Sequence, residues 1–127
     1  MRQKSEVGQM GEDIACEYLK QNKYKILYRN KRLPFGELDI VSRSPEGILV
    51  FVEVKTLLGE GERRPEQNYT FDKDRKTKRA AEYFANKYKE LVDANLGYRV
   101  DLVTVQIKDP LFTDWHRGCA VDQYENL

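Results

Sequence analysis

Asp39, Glu53 and Lys55 are the residues in this chain best suited to chemistry, because each interrupts a run that is otherwise apolar and β-forming. The runs are Gly36-Glu37-Leu38-Asp39-Ile40-Val41 and Leu49-Val50-Phe51-Val52-Glu53-Val54-Lys55. Alternate side chains of a strand share a face, so Glu37 goes with Asp39, and Glu53 with Lys55. With the two strands as neighbours, three carboxylates and one ammonium meet at one spot. Burying such groups is costly unless they pair with one another or hold a cation. Magnesium or manganese takes hard oxygen ligands, for which Asp39 and Glu53 are the first choice and Glu37 the third candidate. Lys55 would then stand beside the metal, placed to orient or help deprotonate a water and to stabilise charge building on a phosphoryl group. Together these parts suit metal-assisted hydrolysis of a phosphodiester. The plainer alternative is a half-exposed sheet face whose Glu53–Lys55 and Asp39–Lys55 pairs are surface ion pairs, each contributing about 0–1 kcal/mol.

A chain of 127 residues with 40% hydrophobic and 34% charged side chains reads as one charge-rich globular domain spanning residues 1–127. No apolar run approaches the roughly 18 residues that a membrane span needs. The start, Met1-Arg2-Gln3-Lys4-Ser5-Glu6, has no apolar signal-peptide core, so a cytoplasmic protein is expected. Cys16 and Cys119 are far apart without metal-type spacing and read as free thiols. The net charge is only +1, but its distribution is uneven. Lys20, Lys23, Lys25, Arg29, Lys31 and Arg32 follow one another with no acid among them. A second group comprises Lys73, Arg75, Lys76, Lys78 and Arg79. Patches of this kind contact phosphates even on a near-neutral protein, and Arg29, Arg32, Lys73 and Lys76 are the candidates. Read from charge alone, the plainer account of the same groups is two solvated faces.

Several elements must position these residues. Val7, Met10, Ile14 and Tyr18 form a helical stripe from Glu6 to Gln21, with Ser5 as N-cap and Glu12 at the margin of the apolar arc. Tyr24 to Arg29 reads as a first strand, and Pro34 and Gly36 punctuate the way into the second. Ser42 to Gly47 is a turn by composition. Ile48 to Thr56 is the most apolar strand, expected to be central and antiparallel to the second. Leu57 to Tyr69 reads as a loop, Gly-rich and Arg-bearing: a substrate-gripping segment or a plain connector. A helix capped by Thr70 or Asp72 runs to about Val92, with Lys73 on the line of Thr77, Ala80 and Phe84. Tyr98 to Ile107 is a fourth strand, joined to the third by a parallel, right-handed crossover. The tail, residues 111–127, is ambiguous, with Trp115 over a core edge and Val121 to Leu127 read as short helix or strand. His116 stands alone, with no partner set for a triad or a zinc site. The result is an α/β domain of order α-β-β-β-α-β, a mixed sheet flanked by helices.

That order, with Asp-x(n)-Glu-x-Lys, resembles the restriction-endonuclease-like PD-(D/E)xK nucleases. More closely, the chain resembles the YraN family of small bacterial proteins, related to archaeal Holliday-junction resolvases. The matching words are Gly11-Glu12-x-x-Ala15 with Tyr18-Leu19, Gly36 to Val41, Phe51 to Thr56, and Arg99-Val100-Asp101-Leu102-Val103. The resemblance implies that Glu12, Asp39, Glu53 and Lys55 occupy active-site positions, that the cofactor is magnesium or manganese, and that the partner is DNA. A lysine at the position of Lys73 is frequent in the family. Leu57 stands where many relatives carry arginine, so a phosphate contact expected there is missing. The wheel alone leaves Glu12 open between a ligand of the site and a solvated boundary residue. Glu37 stays open between a metal ligand, a group behind the ligands and a partner for Lys55. The expected function is a metal-dependent endonuclease acting on DNA, on branched or repair intermediates, with a dimer pooling its basic patches. The alternatives are a nucleic-acid-binding module without efficient catalysis and an interaction protein whose charge cluster only stabilises the sheet.

Overall fold

The computed structural model describes residues 5–59 and 71–126, the side chains of residues 71–74 excepted. Helix α1 (Glu6–Gln21) starts where expected, with Ser5 Oγ accepting the Gly8 amide hydrogen at 3.0 Å. Strands β1 (Lys25–Leu33), β2 (Gly36–Arg43) and β3 (Leu49–Leu58) follow, then helix α2 (Phe71–Lys87). Strand β4 (Tyr98–Ile107), one helical turn α3 (Trp115–Gly118) and strand β5 (Cys119–Tyr124) complete the chain. The five strands form one mixed sheet in the order β1-β2-β3-β4-β5, parallel between β3 and β4 and antiparallel elsewhere. No helix among the described residues is long and apolar enough to cross a membrane.

Strand β3 is central as expected, and its alternation divides the core in two. Val50, Val52 and Val54 pack with Ile14, Ala15 and Leu19 of α1, while Leu49 and Phe51 pack with Ala80, Ala81 and Phe84 of α2. A strand buried on both sides needs apolar residues at successive positions, which is why Leu49 to Val52 reads as a continuous run. Each helix therefore covers one face of the sheet.

Several boundaries differ from the sequence expectation. Strand β1 continues four residues beyond Arg29, with a register shift between Ile26 and Tyr28 and a positive φ of 52° at Asn30. Ser42 and Arg43 belong to β2, not to the turn, because the buried Ser42 hydroxyl donates to the Val50 carbonyl at 3.0 Å and so satisfies its own polarity. Leu57 and Leu58 extend β3 alongside Gln106 and Ile107 of β4, and residues 60–69 of the expected loop lie outside the described residues together with the Thr70 cap. Helix α2 ends at Lys87, earlier than expected, and a 3-10 turn covers Lys89–Leu91. Leu91 and Val92 still reach the α2-side core, but Arg43 Nη2 takes the Leu91 carbonyl at 2.8 Å, and Asp93 accepts from the amides of Asn95 and Leu96. The tail resolves as a strand: β5 pairs with β4, and Trp115 packs against the α1-side core. His116 is exposed, its ring bonded to Asp114 and Gln21.

Gly11 sets how closely α1 lies on the sheet. A Cβ built there would overlap the side chain of Thr56, including its Cβ, so no rotamer of Thr56 relieves the contact. Glycine to alanine inside a helix ordinarily stabilises by about 1 kcal/mol. Overpacking costs about 1–3 kcal/mol. Gly11→Ala is therefore expected to lower the urea midpoint of unfolding despite its better helix propensity; a raised midpoint would contradict the contact.

Candidate active site

Strands β2 and β3 are paired along Ile40–Arg43 and Leu49–Val52, and the ladder stops there. Beyond Ile40 and Val52 the strands separate: Leu38, Glu37 and Gly36 pair only outward with β1, and Glu53 to Leu58 pair with β4. Packing also changes at this point, since Leu38 joins the α2-side core and Ile40 the α1-side core. Asp39 sits at the break. Its Oδ2 accepts the Val54 amide hydrogen at 2.9 Å, so a carboxylate takes the place that a strand carbonyl would fill.

The separation opens a cleft of about 690 Å³. Asp39, Glu53 and Lys55 all line it, as do Glu37 and Glu12. The cleft thus brings together the residues expected to meet, although the packing of Leu38 and Ile40 on opposite sides interrupts the alternation at Asp39. Asp39 and Glu53 are buried, whereas Glu37 and Lys55 are half-buried. Glu12 is 2% exposed, so it is a buried group facing the cleft rather than a solvated residue at the boundary of the helix. It reaches the sheet because its neighbour Gly11 packs on Thr56, and Arg29 Nη2 stands 3.6 Å from its Oε1.

Thr77 was not singled out as a site residue from the sequence, yet it enters the cleft from α2 and donates from Oγ1 to Glu53 Oε2 at 3.2 Å. The signal was a buried hydroxyl on the same helical line as Ala80 and Phe84. Lys73 lies one turn earlier on α2, and its side chain is outside the described residues. Lys76 is exposed and lines the mouth. Arg29 and Arg32 do not line the cleft. Arg29 is engaged at 2.7 Å with Asp13, which draws it toward α1, and Arg32 is exposed on β1 across from Glu37. Phe35, at the β1–β2 turn, is a further lining residue that the sequence reading passed over.

Among the described residues no three His, Cys, Asp or Glu side chains close into a set that could hold a metal. The expected trio of Asp39, Glu53 and Glu37 therefore does not form an all-protein cage. Magnesium does not need one: it keeps several waters and is bound through one or two carboxylates. Two buried carboxylates on one cleft, Asp39 held by the Val54 amide and Glu53 by the Thr77 hydroxyl, fit that requirement.

Residues 11–105 match the model of "Uncharacterised protein family UPF0102", a span that contains every site residue named above. A UPF0102 protein of Caldicellulosiruptor saccharolyticus is 43% identical over 102 residues, covering 80% of this chain and 83% of its own. Those of Desulforamulus reducens and Desulfosudis oleivorans are 35% and 38% identical, covering 81% and 86% of this chain and 83% and 85% of their own. With the family model spanning most of the chain and relatives of this similarity matching over most of their length, the chain belongs to the UPF0102 family.

Proposed function

We propose that the chain is a metal-dependent endonuclease with a restriction-endonuclease-like core that hydrolyses DNA phosphodiester bonds. The observation that carries this reading is the convergence of Asp39, Glu53 and Lys55 on the cleft where β2 and β3 part. Asp39 and Glu53 would hold magnesium or manganese, which when bound polarises a phosphoryl oxygen and lowers the pKa of a coordinated water. The chain's own groups do the rest. The Val54 amide fixes the Asp39 carboxylate, and the Thr77 hydroxyl fixes that of Glu53. Lys55 presents an ammonium to the same space, where it orients the attacking water and stabilises charge on the phosphoryl oxygens. Lys76, at the mouth, holds an adjoining phosphate.

The test is cleavage of linear, nicked and four-way-junction DNA with magnesium or manganese. Lys55→Ala is expected to slow cleavage roughly 10²- to 10⁴-fold, the range for loss of a proton-handling group. Undiminished cleavage by Lys55→Ala would sink the mechanism. Salt-dependent DNA binding by a wild type that never cuts would establish a binding module instead.

A further inference from the structure

Phe35 occupies the tip of the β1–β2 hairpin between Pro34 and Gly36, whose φ of 149° lets the chain turn there. The residue is 46% exposed, high for phenylalanine, and it lines the cleft. It is also held in place: Tyr83 of α2 meets it edge-on at 5.7 Å, and the Arg79 guanidinium lies over it at 4.7 Å. Farther along the same face, Lys31 lies over the rings of Tyr28 and Tyr88, at 5.0 and 5.6 Å. Of the basic residues of 75–79, Arg-Lys-Thr-Lys-Arg, Lys76 lines the cleft and Arg79 lies on the Phe35 ring. A half-exposed aromatic ring braced by its neighbours and flanked by cations is the arrangement that stacks a nucleobase while neighbouring charges take its phosphate. A base inside a duplex has both faces covered, so such a ring selects an unpaired one.

We propose that Phe35, braced by Tyr83 and Arg79, is a stacking subsite that binds one unpaired base of a DNA strand beside the cleft, so that the substrate carries a single-stranded segment. This rests on the nuclease reading and names its substrate class. The carrying observation is the ring's continuity with the cleft that holds Asp39, Glu53 and Lys55. Lys76 and Arg79 supply the phosphate contacts, and no base identity is read, because every base offers a π-face.

Binding is measured by fluorescence anisotropy in EDTA, so that no cleavage intervenes, with a blunt duplex and with the same duplex bearing a single-stranded tail. The wild type is expected to bind the tailed DNA roughly 10- to 100-fold more tightly, the range for one stacked base. Phe35→Ala should remove that preference, and Phe35→Tyr, which keeps a ring, should retain it. An abasic nucleotide at one tail position should reproduce the loss with wild-type protein, independently of whether any variant folds. Equal affinity of the wild type for both DNAs, or a Phe35→Ala loss that is the same on both, would overturn the subsite. Cleavage in magnesium is scored separately. A Phe35-dependent tail preference without any cleavage would overturn the nuclease reading and leave the subsite standing.

Discussion

Asp39→Asn is expected to reduce DNA cleavage roughly 10²- to 10⁴-fold while leaving the unfolding midpoint close to that of the wild type. Two roles of one side chain separate here. The proposed chemistry needs the negative charge, which the amide lacks; removing a comparable electrostatic or proton-handling group costs about 10²- to 10⁴-fold. The fold needs an oxygen to accept the buried Val54 amide hydrogen, and the asparagine carbonyl supplies one. Asp39→Ala removes both. It is expected to be as inactive as Asp39→Asn and, in addition, less stable by about 1–3 kcal/mol, the cost of a buried donor left without its acceptor. Urea unfolding of the two variants beside their cleavage rates checks the split. Wild-type cleavage by Asp39→Asn would contradict the chemical role, and equal stability of the two variants would contradict the structural one.

The second large effect is on stability and lies away from the cleft. Asp101 on β4 is fully buried and receives Arg99 in a two-point contact, Nε to Oδ1 at 2.9 Å and Nη2 to Oδ2 at 3.0 Å. Gln123 of β5 donates to the same carboxylate at 2.8 Å and the Asn126 amide at 3.2 Å, while Arg99 also reaches the Tyr24 hydroxyl at 2.8 Å. The network ties β5 and the chain between α1 and β1 to β4. Asp101→Ala takes the buried carboxylate from an arginine side chain only 11% exposed, leaving it the more exposed Glu125 at 3.3 Å as its remaining counter-ion. The expected loss is about 3–5 kcal/mol, a large part of the roughly 5–15 kcal/mol that holds a domain together. Replacing both partners, Arg99→Met with Asp101→Leu, is expected to cost clearly less than Asp101→Ala alone. A loss under about 1 kcal/mol for Asp101→Ala would contradict the network. Burial lowers the guanidinium's pKa, but the hydrogen bonds and charge of Asp101 more than offset this, and the net shift is upward. A raised folded-state pKa means that the arginine's contribution is complete below its ordinary value and is lost only above it. On the arginine side the pair therefore contributes equally at every pH used for nuclease assays.

The sequence carried the central part of this fold because alternation and burial agree there. Val50, Val52 and Glu53 reveal which face each residue takes as soon as β3 is recognised as a strand. Ser42 and Arg43 misled because polar residues resemble a turn until their partners, the Val50, Gly47 and Leu91 carbonyls, are known. Strand β5 was illegible for a different reason. It lies at an edge, where only one of its residues is fully exposed and none is buried, so no alternating pattern marks it. At the site, Asp39, Glu53 and Lys55 were legible from spacing. Thr77 and Phe35 were not, because a hydroxyl or an aromatic ring gains meaning only from what the fold sets opposite it. The two arginines chosen from charge, Arg29 and Arg32, show the converse limit: local sequence gives a charge but not the direction in which it points.

The parting of β2 from β3 has an effect beyond making room. A sheet is ordinarily a wall, and a strand within it offers a site every second side chain. Here Glu53, Val54, Lys55 and Thr56, four residues in succession, line the same cavity. Glu53 and Lys55 belong to the side covered by α2, and Val54 and Thr56 to the side covered by α1. The gap is thus a window through the wall, and both helical layers look into it, Glu12 from one and Thr77 from the other. A 16-residue helix and a 17-residue helix that never share a face of the sheet can in this way furnish one set of functional groups.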